Sequence, residues 1–142
     1  MKSSKRQSDR MKFNGRIIYP GKISGEALVT RKGISFYGGV DPSTGVVVEK
    51  DHPLEGQSIT GKVLVFPTGK GSTVGSYTLY RLKSIGKAPV AILNAECETI
   101  TAVGCIIAEI PCVDQIPIDQ IPTGSLVNID GASVEISFGI SV

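Results

Sequence analysis

Lys62-Val63-Leu64-Val65-Phe66-Pro67-Thr68-Gly69-Lys70-Gly71-Ser72-Thr73-Val74-Gly75-Ser76 joins an apolar run to a loop of glycines, hydroxyls and one cation. Residues 62–66 are mostly β-branched or aromatic and lie between Gly61 and Pro67, which predicts a buried strand. From Tyr77 to Ile85 the apolar residues recur at close to 3.6, which predicts a helix. The stretch between them is therefore a strand-to-helix turn. Such a turn gathers backbone N–H groups and the positive end of a helix dipole at one point, a setting that holds an anion. Gly69, Gly71 and Gly75 let the main chain turn sharply and lie close to a ligand. Ser72 and Thr73 fall at the helix start, where a plain N-cap accounts for a serine. A cap alone does not require glycine on both sides of Lys70. A nucleotide-hydrolysing phosphate loop is excluded, because Lys70 is followed by Gly71 rather than Ser or Thr and Leu64 stands where that loop's first glycine belongs.

Outward from this stretch, 142 residues with 41% apolar and 20% charged content suit one globular domain. No window of eighteen consecutive apolar residues exists to span a membrane, and the basic N-terminus lacks the apolar core of a signal peptide. The expectation is a cytoplasmic protein. The net charge of +2 is uneven: residues 1–12 carry five basic side chains against Asp9, and the remainder is slightly acidic. Residues 1–12 accordingly read as a disordered basic tail ahead of a domain at 13–142, with neither a nucleic-acid nor a membrane partner. Cys97, Cys105 and Cys112 match neither a disulfide framework nor a closely spaced metal site, so they read as small buried thiols. His52 is the only histidine, which excludes a multi-histidine metal centre and a self-contained catalytic triad.

Short apolar pieces at 16–19 and 26–30 read as strands, and 46–49 as another brief one. Between them lies a second glycine loop, Ile34-Ser35-Phe36-Tyr37-Gly38-Gly39-Val40-Asp41-Pro42-Ser43-Thr44-Gly45, followed by a third loop, His52-Pro53-Leu54-Glu55-Gly56. Residues 88–93 form a buried strand at the distance of a βαβ crossover. Residues 96–110 predict a helix with Ile100, Val103, Ile107 and Ile110 on its apolar face, Gly104 tolerated inside and Pro111 ending it. A terminal hairpin pairs 125–130 with 132–137 around Gly131. The fold class is α/β, a compact β-rich domain with two main helices.

The three loop motifs, in this order and spacing, resemble the small subunit of the aconitase X family from about Phe13 onward. That resemblance implies a swivelling β/β/α domain that closes over an active site. It implies a large-subunit partner in a heterodimer or higher assembly, with a 4Fe-4S cluster held by that subunit and not by this chain; no residue here is assigned as a metal ligand. The implied reaction is a dehydration, 5-phosphomevalonate to trans-anhydromevalonate 5-phosphate, with Ser72 as the catalytic base. Gly69, Lys70, Gly71 and Thr73 would bind substrate, and Gly38, Gly39, Asp41 and His52 would support the site. An alkoxide on Ser72 needs nearby charge or donors, which the helix-start N–H groups and Lys70 could supply. Lys70 reads equally as a contact to substrate phosphate or carboxylate and as a solvated loop lysine. Asp41 is expected to brace its glycine loop, and His52 to sit in an extended turn before Pro53. Two alternatives stand beside this reading: a hydroxyproline dehydratase subunit, and a non-catalytic anion-binding or regulatory module that needs no partner.

Overall fold

The computed structural model describes residues 7–140. Strand β4 (Val63–Phe66) is buried at every position, because both of its faces are covered. Leu64 and Phe66 point into one apolar cluster with Leu79, Leu82, Ile92, Cys105 and Ala108. Val63 and Val65 point the other way, into a second cluster with Leu93, Val113, Val127, Ile129, Val134 and Ile136. The two-residue alternation of a strand thus sorts one apolar run between two cores. Helices lie on one side of β4 and a second sheet layer on the other, giving the expected β/β/α layering.

Eight strands form one mixed sheet, in the order Gln7–Asn14, Ser133–Ile140, Leu126–Asp130, Lys22–Val29, Val63–Phe66, Ala91–Asn94, Cys112–Asp114 and Arg16–Tyr19, numbered β1 to β8 along the chain. β4 runs parallel to β5 (Ala91–Asn94), and β5 parallel to β6 (Cys112–Asp114). Helices α2 (Val74–Ser84) and α3 (Thr99–Ala108) make the two crossovers. β3 (Lys22–Val29) turns the corner between layers: Lys22–Glu26 pair antiparallel with β7 (Leu126–Asp130), while Ala27–Val29 pair parallel with β4. β7 and β8 (Ser133–Ile140) form the terminal hairpin around Gly131. β2 (Arg16–Tyr19) closes the far edge against β6, where the half-exposed Arg16 guanidinium grips the fully buried Asp114 carboxylate at 2.7 and 3.0 Å.

Three expectations are corrected. Residues 7–12 are not a tail: with Phe13 and Asn14 they make β1 (Gln7–Asn14), paired along its length with β8. The reason is long-range, since Met11 and Phe13 pack on the second core cluster and the open edge of β8 supplies the ladder. Residues 1–6 lie outside the described residues. Second, 46–49 is not a strand and makes only single bridges, Val46 to Ser58 and Val47 to Val40. Third, the expected apolar face of α3 does not face the core. The helix buries Thr101, Gly104, Cys105 and Ala108, while Val103 and Ile107 are exposed and Ile110 is buried beyond the helix end. A Cβ on Gly104 would stand 2.7 Å from Leu79 Cδ1 and 3.2 Å from Ser76 Cα of α2. Gly104 lets the two backbones approach, so α2 turns Leu79 and Leu82 inward while α3 turns its large Val103 and Ile107 outward.

Candidate functional site

The loop after β4 is anchored on both sides before it reaches α2. On one side Lys70 N–H donates to the Ile34 carbonyl at 3.0 Å, and Ile34 and Gly69 form a parallel bridge. Gly71 has φ +101°, and a Cβ there would collide with the Ser35 hydroxyl. On the other side Gly69 abuts the Glu98 carboxylate and the Thr101 hydroxyl, leaving no room for a side chain. Glu98 in turn caps α3, accepting N–H bonds from Ile100 at 2.7 Å and Thr101 at 2.8 Å. The glycines are thus required by neighbours on two other segments.

Held this way, residues 70–74 are all exposed. Ser72 Oγ accepts the Val74 N–H at 3.1 Å, and the Ser72 carbonyl accepts the Gly75 N–H at 2.9 Å. Geometrically Ser72 caps α2, as the plain reading had it, and Thr73 already has helical torsions of φ −60° and ψ −22°. An N–H aimed at Oγ at the positive end of a helix favours the oxyanion over the neutral hydroxyl. Thr73, next to it, makes no side-chain cap bond.

Lys70 is neither solvated alone nor free for an anion, because its ammonium donates to Glu49 Oε2 at 3.1 Å; Lys32 stands 3.8 Å from the same oxygen. Two cations flank one carboxylate, leaving a local excess of one positive charge. α1 (Phe36–Gly39), a single irregular turn, brings Gly39 to the same spot, its carbonyl accepting from Val48 and Glu49 N–H. Gly38 sits there at φ +86° with open space around it. Asp41 serves its own turn, its carboxylate accepting N–H bonds from Ser43 and Thr44. His52 is buried behind the loops, with Nδ1 accepting from Leu54 N–H at 3.0 Å and Nε2 facing the Gly33 carbonyl at 3.1 Å. That pairing puts the proton on Nε2 and makes His52 a latch between two loops. Ser35, Glu49 and Glu98 were missed by the sequence reading; each matters through a contact to a distant loop, and nothing local marks it.

Among the described residues no group of three or more His, Cys, Asp or Glu side chains is placed to hold a metal ion. Cys105 and Cys112 lie in the core, and Cys97 Sγ stands 3.9 Å from Cys112 Sγ. The Cys112 thiol is pushed up by the neighbouring Cys105 sulfur and by burial, and Cys97 is pushed up by Cys112 and burial, so both stay protonated. With Cys105 and Cys112 sealed in the core, Cys97 half-buried and no metal-holding group formed among the described residues, these thiols do not fit an iron–sulfur cluster. Nor is any helix among the described residues long and apolar enough to cross a membrane.

Three layers, with a glycine-cradled serine presented at the start of α2, define a swivelling domain of the aconitase type. The chain belongs to the aconitase X swivel domain family, whose profile matches residues 12–138. It is 53% identical over 126 residues to the phosphomevalonate dehydratase small subunit of Thermococcus kodakarensis, covering 89% of this chain and 95% of the relative. The Methanosarcina acetivorans protein of the same name is 55% identical, covering 86% of this chain and 87% of that one. The crystal structure of Thermococcus kodakaraensis aconitase X in its holo-form superposes with a TM-score of 0.87 at 52% identity, over 89% of this chain and 98% of that chain. A solution structure of a UPF0107 protein gives 0.81 at 47% identity, over the same shares.

Proposed function

We propose that this chain is the small subunit of a dehydratase that converts (R)-5-phosphomevalonate to trans-anhydromevalonate 5-phosphate and water, with Ser72 as the base. The substrate and the two-subunit organisation are supported by the names of the relatives at about half identity over most of the chain. The role of Ser72 rests on one observation, the exposed hydroxyl whose oxygen accepts the Val74 N–H at 3.1 Å. Deprotonated, that oxygen takes a proton from the carbon beside the substrate carboxylate. The electron pair left behind forms the carbon–carbon double bond, and the hydroxyl on the adjacent carbon departs to complete the water lost.

The rest of the site belongs to a large subunit. Among the described residues nothing covers the base, since residues 70–74 stand open. The thiols do not fit a 4Fe-4S cluster, so the cluster is assigned to the large subunit, where it would supply Lewis-acid chemistry. Gly69, Gly71 and Thr73 shape the oxyanion environment, and Lys70 receives the substrate's anionic end by exchanging its bond to Glu49. Three free thiols without a disulfide are in keeping with a cytoplasmic setting. The test is Ser72→Ala in the reconstituted two-subunit enzyme, assayed anaerobically on 5-phosphomevalonate. Turnover is expected to vanish while the complex still assembles; substantial residual activity would reject Ser72 as base.

A further inference from the structure

Helix α3 carries no charged residue between Glu98 and Glu109, and the residues it exposes are as apolar as those it buries. A helix apolar all round belongs inside something larger. Its exposed side meets that of α2 along one seam. A groove of about 160 Å³ there is lined by Thr73, Ser76, Tyr77, Thr99, Ile100 and Val103. Farther along, Tyr80 of α2 and Ile107 of α3 line the next depression. Tyr77 is 68% exposed, Tyr80 53%, Val103 42% and Ile107 39%. Such side chains scattered singly are ordinary, but a contiguous strip marks an interaction site.

We infer that the α2–α3 seam is the docking surface for the large subunit, which seats an apolar segment along Tyr77, Tyr80, Val103 and Ile107. This rests on the reading above, in which a second chain completes the site at Ser72. Continuity identifies the occupant. The seam opens at Thr73, the residue after Ser72, and the exposed Val74 and Tyr37 extend the apolar surface around the loop. The Tyr37 backbone lies against α2 at Gly75, its nitrogen 3.5 Å from where a Cβ there would stand. A chain that covers Ser72 therefore borders this strip at Thr73. α2 is roughly 16 Å long, so a partner seated on the seam alone would find less than the roughly 800 Å² per side of a stable interface. The site loops must supply the rest, and docking and closure share one surface.

The experiment measures the affinity of this chain for its purified large subunit by titration calorimetry under anaerobic conditions. Because both side chains face solvent, Val103→Glu/Ile107→Glu is expected to keep the wild-type circular dichroism and melting temperature. Its affinity is expected to fall by about 100-fold, the size of a lost interface hot spot. Leu126→Glu, equally exposed but on β7, serves as the control and should bind as wild type. Wild-type affinity in the double variant would overturn the proposal, as would an equal loss in Leu126→Glu. So would self-association of the isolated chain that the double variant abolishes while large-subunit binding persists, since the strip would then bind a second copy. Ser72→Ala separates the two ideas: it should lose turnover and keep affinity, whereas the double variant should regain turnover at saturating large subunit.

Discussion

Replacing Gly71 by Ala tests whether the serine loop is held by its neighbours. At φ +101° an L residue costs about 1–3 kcal/mol in backbone strain. The new methyl would also meet the Ser35 hydroxyl and lie 3.2 Å from Ser35 Cβ, a crowding worth another 1–3 kcal/mol, roughly, if nothing moves. Residues 70–74 are exposed, so the loop relaxes and only part of this sum reaches global stability. The expected loss is about 2 kcal/mol, a fall of roughly 4–8 °C in Tm by differential scanning calorimetry. Turnover suffers more, since a displacement of about 1 Å at Ser72 costs on the order of 100-fold. Ser35→Gly in the same chain removes the collision and keeps the torsion, so the double variant should recover about half of the lost stability. Wild-type Tm and turnover in Gly71→Ala would refute the reasoning, and full rescue by Ser35→Gly would show that the torsion carries no cost.

Gly104→Ala already sets its Cβ 2.7 Å from Leu79 Cδ1 and 3.2 Å from Ser76 Cα, so despite a gain of about 1 kcal/mol in helix propensity it should lose about 1–2 kcal/mol in urea unfolding, and the larger Gly104→Val should lose more. At Asp114, burial alone would raise the carboxyl, but hydrogen bonds from Arg16 and the Cys97 N–H, with the Arg16 charge, hold it below the ordinary range. A depressed carboxyl contributes stability above its unfolded pKa of about 3.9 and loses it as pH falls through the folded value. Arg16→Ala should therefore shift acid unfolding, followed by circular dichroism, to higher pH. The raised Cys112 thiol has the opposite sign: its contribution is complete below the unfolded pKa of about 8.5 and drains away as pH rises beyond it. Cys112→Ala should flatten that alkaline slope, and an unchanged slope would show that the thiol ionises freely in the fold.

The chain by itself determined the elements whose signal is local. The run at 62–66, bounded by Gly61 and Pro67, could only be a buried strand, and β4 is buried at every position. Alternation around Gly131 determined the terminal hairpin, and the glycines around Lys70 marked the turn that presents Ser72, because torsional freedom is a property of one residue at a time. Tertiary structure decided the rest. β1 exists because β8, more than a hundred residues later, has an open edge, so the polarity of residues 7–12 was a poor guide. The outward turn of Val103 and Ile107 follows from the fit of Gly104 against Leu79 and Ser76, a property of two helices that neither helix's periodicity contains. Likewise Lys70 met Glu49 and Gly71 met Ser35 only once the loops were stacked. Local periodicity records which residues avoid water; which neighbour shelters them is settled when distant segments compete for the same space.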